Sequence, residues 1–246
     1  MQSETMDRLK QINQRFYELH APSFSLTRSK IQPGVEALLP LMLAADSILD
    51  LGCGNGTFAE ALAKVGFKGR YMGLDGSLAL LGAAKDRLGR FRALCAQFEQ
   101  ADLSSPSFLC MPFTQHFPLI TCFAALHHLP SHPLHLAFFD AVQKRLAKGG
   151  RFILSCWQIS HSARLLKHIQ DWSLVGLDPQ SLEPGDLLMD WRGQDPHNPG
   201  LRYVHEFTEE ELADLGKQAG LQLEQSFLSD GKEGNLALYQ IWKKAA

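Results

Sequence analysis

One stretch constrains this chain more than any other: Ile48-Leu49-Asp50-Leu51-Gly52-Cys53-Gly54-Asn55-Gly56-Thr57. A short apolar run ending in an acid reads as a buried strand reaching its carboxyl edge. Three glycines then alternate with Cys53 and Asn55, and an Ala/Leu-rich helical pattern follows over residues 58–64. Glycine lets the backbone turn sharply and approach a ligand that a Cβ would keep away. A second strand-like run, Tyr71-Met72-Gly73-Leu74, ends at Asp75, nineteen residues after Gly56. A carboxylate there is placed to accept hydrogen bonds from both hydroxyls of a ribose. The pair predicts a nucleoside-bearing ligand. The spacing Gly52-x-Gly54-x-Gly56 is neither the dinucleotide G-x-G-x-x-G nor a phosphate loop ending in G-K-[ST].

The remaining pattern repeats the same unit. Residues 1–20 predict an amphipathic helix, with Met6, Leu9, Ile12, Phe16 and Leu19 spaced by three or four, lying over a sheet. Residues 21–30 read as a polar surface segment, and Val35, Leu38, Leu39 and Leu41 mark a helix before the first strand. Ser77 is placed to cap a helix over residues 77–88. A third strand within residues 91–101 closes at Asp102, whose bland role is a turn cap and whose other role is to face a ligand at the sheet edge. Residues 117–125 form a continuous apolar run suited to the middle of a parallel sheet, leading directly into Leu126-His127-His128-Leu129. Lys148-Gly149-Gly150 reads as the glycine stop of the next helix, ahead of a fifth strand over residues 151–156. The resulting βαβαβαβαβ order predicts an α/β fold with a doubly wound, mostly parallel sheet.

Residues 158–200 depart from that rhythm, with repeated Pro and Gly around Trp172, Trp191 and Arg192, and predict a lid-like insertion at the ligand edge. Thr208 and Glu211 form a helix-start signature. Strands over residues 221–228 and 235–242, joined through Asp230-Gly231, close the chain. The expected organisation is an N-terminal helical, substrate-side segment over residues 1–45 and a main domain over residues 46–246. With 45% apolar and 20% charged residues, the 246-residue chain can bury a sizeable core. It has no apolar run of spanning length and no signal segment, which predicts a soluble, cytoplasmic protein (nuclear as well in a eukaryote) with no membrane partner. Its formal charge of −2 excludes a global basic field. The five scattered cysteines include no C-x-x-C, so no metal site is expected from them.

The D-x-G-x-G-x-G loop, Asp75, Asp102, the LHHL turn, the KGG segment and the terminal hairpin together resemble the class I S-adenosylmethionine-dependent methyltransferases, a Rossmann-like family. That resemblance implies a seven-stranded sheet ordered 3-2-1-4-5-7-6 with the last strand antiparallel. It implies S-adenosylmethionine as donor, released as S-adenosylhomocysteine. It also implies a cofactor site drawn from Asp50, Gly52, Cys53, Gly54, Asn55, Gly56, Asp75, Gly76, Ser77, Asp102, Leu103 and Ala124. Two further segments, Phe24-Ser25-x-Thr27-Arg28 and Arg202-Tyr203-Val204-His205-Glu206-Phe207 with Glu211-Leu212, are similar to those of the tRNA wobble-uridine carboxymethyl methyltransferases. Gln32-Pro33 and Val204 stand where that family carries aromatics. The narrower resemblance implies tRNA as a partner, a small zinc-binding activator, and substrate contacts from Arg28, Arg202, Tyr203 and His205.

Methyl transfer from a sulfonium is an in-line displacement, so the enzyme's main task is alignment. A carboxylate acceptor is already ionised and needs only cations, for which Arg28 and Arg202 are suited. A hydroxyl or amine acceptor needs a base, for which His127 or His128 are the candidates, one of the pair being structural. Trp191 and Tyr203 can stack on a base or simply cover apolar surface. A small-metabolite methyltransferase and a silent cofactor-binding subunit are the competing readings.

Overall fold

The computed structural model describes residues 1–91, 94–110, 115–191 and 200–246. The first strand, β1 (Ser47–Leu51), is buried along its whole length and sits mid-sheet. Around it lie α1 (Ser3–Thr27), α2 (Pro33–Met42), α3 (Thr57–Lys64), β2 (Arg70–Asp75), α4 (Leu78–Leu88), β3 (Cys95–Gln100) and α5 (Pro106–Cys110). Then come β4 (Phe117–Phe123), a 3-10 turn (Leu126–His128), α6 (His132–Arg145) and β5 (Leu146–Trp157). The chain continues through α7 (Ala163–Leu166), β6 (Ile169–Gln170), β7 (Asp186–Trp191) and β8 (Gly200–His205), and ends in α8 (Glu209–Gln218), β9 (Leu221–Ser229) and β10 (Ala237–Lys244).

Seven strands form one sheet in the order β3-β2-β1-β4-β5-β10-β9. The first five run parallel, and β10 is antiparallel to both neighbours. This is the expected doubly wound order. Because neighbouring residues of a strand face opposite sides, β1 feeds two cores. Leu49 and Leu51 join Phe138, Phe139, Leu212 and Trp242 beneath α6 and α8, while Ile48 joins Val35, Leu38 and Phe58 beneath α2 and α3. All five parallel strands deliver their carboxyl ends to one edge, where open sheets of this kind bind ligands.

Four expectations need correction. Helix α1 continues through Pro22 to Thr27, so the FSxTR segment is its last turn, with Arg28 as C-cap. Leu19 faces solvent, and the buried stripe instead includes Thr5 and Asn13. The stripe packs mainly on β8 and touches α4. The KGG segment does not end a helix: α6 stops at Arg145, and β5 bulges between Leu146, opposite Phe117, and Arg151, opposite Leu119. A Cβ on Gly150 would lie 2.8 Å from the Ala147 carbonyl oxygen, so the bulge requires glycine there.

The insertion is more regular than its composition suggests. Strands β6, β7 and β8 make a second, antiparallel sheet, and β8 carries this unit beyond residue 200 to His205. Leu188 and Tyr203 on one of its faces pack against Leu9 and Ile12 of α1. Residues 192–199 of the lid-like stretch, Arg192 included, lie outside the described residues. Among the described residues, no helix is long and apolar enough to cross a membrane.

Candidate active site

At the end of β1 the chain doubles back onto β2: the N–H groups of Gly52 and Cys53 both donate to the Leu74 carbonyl, at 2.8 and 3.0 Å. Gly52, Gly54 and Gly56 all have positive φ, but for different reasons. A Cβ on Gly52 would sit 2.3 Å from the Ala125 Cβ, and one on Gly56 would sit 2.9 Å from that of Ala84. Those two are packing glycines, and Gly56 does not line the cavity in front of the loop. Gly54 does line it, and a Cβ there would meet no protein atom within 4 Å. The open side of Gly54 is space for a ligand.

Asp75 holds the loop in place. Its Oδ2 accepts from the Gly54 N–H and its Oδ1 from the Ser77 N–H, both at 2.8 Å. Each oxygen keeps a second lone pair, which is what a ribose diol needs. Asp50 lies deeper, with Oδ2 accepting from the Tyr71 hydroxyl at 2.5 Å and Oδ1 from Thr121 Oγ1 at 2.8 Å. Burial pushes its pKa up to about 6 against these two hydrogen bonds. It lines the floor of the cavity but is chiefly occupied by protein hydroxyls. Asp102 is exposed at the far rim, its Oδ1 taken by the N–H and hydroxyl of Ser104. It therefore caps its own turn and has Oδ2 left for a ligand. Gly76, Ser77, Leu103 and Cys53 line the same wall. Ala124 lines it at a φ of 51°, held there by its N–H donating to the Ser155 carbonyl at 2.9 Å.

Asn55 was expected to touch the cofactor; it also does something else. Its Nδ2 lies within 3.1 Å of the Ser25 carbonyl, the Ser25 hydroxyl and the Arg28 carbonyl, and Thr57 Oγ1 donates to the same Arg28 carbonyl at 2.7 Å. The glycine loop thus grips the end of α1. Arg28 is half-buried over the ring of Phe24, at 4.9 Å, and lines the cavity. Burial holds its pKa below the usual guanidinium value.

Across from the loop stands Arg202 of β8, only 4% exposed. Its guanidinium lies 5.2 Å from the Phe16 ring centroid and 4.7 Å from that of Trp157. Neither Nε nor Nη1 has a hydrogen-bond partner among the described residues. Burial lowers its pKa to about 10, which leaves it charged at neutral pH. Asp190, whose field reaches it, is itself hydrogen-bonded to His168. A buried cation with unpaired donors is costly, and an anionic ligand entering the cavity would relieve that cost.

The two histidines part company. His128 lines the cavity; its Nδ1 faces the Tyr203 carbonyl at 3.0 Å and so carries the hydrogen, leaving Nε2 to accept from the Tyr17 hydroxyl at 3.0 Å. Burial and the nearby Arg202 lower its pKa to about 4. His127 is fully buried outside the cavity, its Nδ1 accepting from the Trp157 N–H at 3.4 Å. It is the structural member of the pair.

Tyr203 and His205, expected at the mouth, are behind the wall. The cause is strand alternation: Arg202 faces the cavity, so Tyr203 faces away. The Tyr203 hydroxyl donates to Asp186 Oδ1 at 2.8 Å, and His205 lies between Asp186 and Glu211. Burial alone would depress His205, but the two carboxylates outweigh it and raise its pKa to about 9. Glu211 therefore does not close the expected capping box; only the Thr208 hydroxyl does its part, accepting from the Glu211 N–H at 3.1 Å. Trp191 does line the cavity, within 5.6 Å of both Phe16 and His20.

The arrangement has clear relatives. Residues 24–226 match the methyltransferase domain family. The chain belongs to that family. The chain is 24% identical over 211 residues, 83% of this chain and 86% of the other, to a tRNA (carboxymethyluridine(34)-5-O)-methyltransferase of Schizosaccharomyces pombe. It is 38% identical over 102 residues, 40% of this chain and 42% of the other, to a 2-phytyl-1,4-naphtoquinone methyltransferase of Synechococcus elongatus. The match to that cyanobacterial relative thus spans about two-fifths of its length. A solved S-adenosylmethionine-dependent methyltransferase from Clostridium acetobutylicum superposes with a TM-score of 0.64 at 18% identity, covering 95% of this chain and 99% of that one, a likeness of fold.

In this chain, the cavity of about 1450 Å³ runs from Asp102 across the glycine loop to Arg202. The space above Gly54, the lone pairs of Asp75 and the rim at Asp102 fit the S-adenosylmethionine expected from the sequence. Sequence reasoning missed Tyr17, Asn13 and Trp157. The one available signal was Asn13 and Tyr17 one helical turn apart beside an apolar stripe, where a polar pair needs partners.

Proposed function

We propose that this methyltransferase moves the methyl group of S-adenosylmethionine onto a carboxylate, that of a carboxymethyl-bearing uridine in tRNA. The observation that carries the reading is Arg202, a buried guanidinium whose Nε and Nη1 are unpaired among the described residues, on a side chain that lines the cavity holding the glycine loop. When bound, S-adenosylmethionine supplies an electrophilic methyl on sulfur. With that donor held over Gly54 and Asp75, a carboxylate held by Arg202 would take the methyl through a new C–O bond, the pair of the broken S–C bond staying on sulfur. No proton has to be removed. That suits a site whose cavity-facing histidine has its pKa lowered to about 4, since so weak a base is poorly matched to a hydroxyl or amine. Arg202 fixes the acceptor, Arg28 adds a second cation at the loop side, and Tyr17, hydrogen-bonded to His128, lies between the two parts of the cavity.

The tRNA acceptor is favoured by how far the likeness extends. The fission-yeast relative aligns over 83% of the chain, against 40% for the quinone methyltransferase. Trp191 and Trp157 supply aromatic faces beside the cation, as a flipped or single-stranded base requires. A second reading, a small carboxylic acid as acceptor, is favoured by the net charge of −2, which gives no long-range attraction for RNA. The deciding assay is transfer of labelled methyl to tRNA undermodified at its wobble uridine, run beside a panel of small carboxylic acids. The same resemblance names the helper to add if the isolated chain turns over slowly, a small zinc-binding activator. Label in tRNA that depends on Arg202 supports the reading. Label confined to small acids overturns the tRNA acceptor and keeps the carboxylate.

A further inference from the structure

Behind the acceptor wall, away from the cavity, three side chains from separate parts of the chain converge: His135 of α6, His205 of β8 and Glu211 of α8. We propose that they form a binding site for one divalent transition-metal ion of the zinc type, a site that ties β8 to the two helices beneath the sheet and is separate from methyl transfer.

The geometry is that of a prepared ligand set. His135 is fully buried, and its Nε2 lies 2.6 Å from the Leu129 carbonyl, so Nε2 carries the hydrogen and Nδ1 presents a lone pair. That Nδ1 has no partner among the described residues. His205 has its Nδ1 2.8 Å from Asp186 Oδ1, with Nε2 turned toward Glu211 at 3.0 Å. Metal-binding histidines are oriented in this way, by a carbonyl or carboxylate on the far nitrogen. One atom from each of the three residues lies within 4.8 Å of the others. Ligand atoms on one tetrahedral zinc-type ion are roughly 3.4 Å apart for bonds of about 2.1 Å. The Nε2-to-carboxylate spacing is therefore already close, and small side-chain rotations close the third edge. Two imidazoles and a carboxylate suit this class of ion over calcium or magnesium, which prefer all-oxygen shells.

An ion held there would give His135 Nδ1 the partner it lacks and would lie beside the carboxylates of Asp186 and Glu211. The Glu211 side chain, 25% exposed, provides the entry path and leaves room for water as fourth ligand.

The test is titration of the metal-stripped full chain with cobalt(II), read by visible ligand-field absorption, with zinc(II) competition and thermal melting alongside. The expected result is one cobalt per chain in a four-coordinate spectrum, displaced by zinc, with zinc raising the melting temperature. Glu211→Gln and His135→Gln should abolish the spectrum. Asp186→Asn, which alters the support of His205 and of the Tyr203 hydroxyl without removing a ligand, should weaken binding by about 10–100-fold. Should His135→Gln fail to fold, Glu211→Gln on the partly exposed rim decides the matter. Wild-type protein that takes up no cobalt, or a Glu211→Gln variant that binds it as wild type does, overturns the proposal and leaves a buried imidazolium between two carboxylates.

Discussion

The two halves of the cavity are built by different means. The donor half uses a contiguous loop and the carboxyl ends of adjacent parallel strands, and much of its chemistry is main-chain: Gly52, Cys53, Gly54 and Ser77 all contribute N–H groups. The acceptor half uses side chains from α1, the LHHL turn and the second sheet. Asn13 holds it together across 190 residues of sequence, donating to the Tyr203 carbonyl at 3.1 Å and accepting from the Tyr203 N–H at 2.8 Å. A backbone cradle tolerates variation in side chains around it, whereas a side-chain wall can be re-aimed one residue at a time. The first suits a shared donor, the second an acceptor that differs between relatives.

Four substitutions can break or sharpen that contrast. The largest effect is expected from Arg202→Met, which should cut kcat/KM for a carboxylate acceptor by about 10²–10³-fold, the usual cost of removing one side of a buried charge pair. Donor affinity by calorimetry should stay unchanged; an equal loss of donor binding would dissolve the distinction between the halves. Gly54→Val is the mirror experiment. Because its Cβ meets no protein atom, the fold should persist, with about 1–2 kcal/mol of strain at positive φ, while donor affinity falls about a hundredfold. Retained donor binding would place the ligand elsewhere.

Asn55→Ala probes the joint between the halves. Losing the grip on Ser25 and Arg28 should lower stability by about 1–2 kcal/mol in urea unfolding and weaken donor and acceptor together. A change in only one of the two affinities would show that the halves are not coupled through this side chain. The smallest effect concerns His128. Its folded pKa, near 4, is below the unfolded value of about 6.5, so its contribution is fully present above pH ~6.5 and is lost as pH falls toward 4. His128→Gln should therefore lose less stability than wild type between pH 7 and pH 5.5, by about 1 kcal/mol, read from urea midpoints at the two pH values. Parallel pH curves would show that His128 does not carry the acid sensitivity.

The donor half was legible in the sequence because its residues are neighbours there. A strand that ends in an acid, glycines that need positive φ and a second acid at the next strand end are local signals, and Gly54 and Asp75 meet as they predict. The alternation of strands and helices predicted the doubly wound sheet, and the family resemblance supplied its strand order. Of the residues expected on the acceptor side, Arg28, His128, Trp191 and Arg202 line the cavity. Tyr203 and His205 share a segment with Arg202, yet a strand turns successive side chains to opposite faces, so one motif serves two sides of a wall. Tyr17 was hidden inside a helix whose pattern indicates only that it is amphipathic. Pro22 and the polar run after it suggested that the helix had ended, although it runs on to Thr27, where Asn55 holds Ser25 and the Arg28 carbonyl. The hairpin of β7 and β8 was masked by the Pro and Gly flanking short apolar runs, and the convergence of His135, His205 and Glu211 has no sequence spacing at all.

The central claim is that a carboxylate, held by Arg202, receives the methyl group. The chemical nature of the product tests it most directly. After labelled methyl has been transferred to tRNA, brief mild alkali should release the label as volatile methanol, because the product is a methyl ester. Label that stays on the RNA through alkali would mean transfer to nitrogen, carbon or a hydroxyl, and would contradict the account.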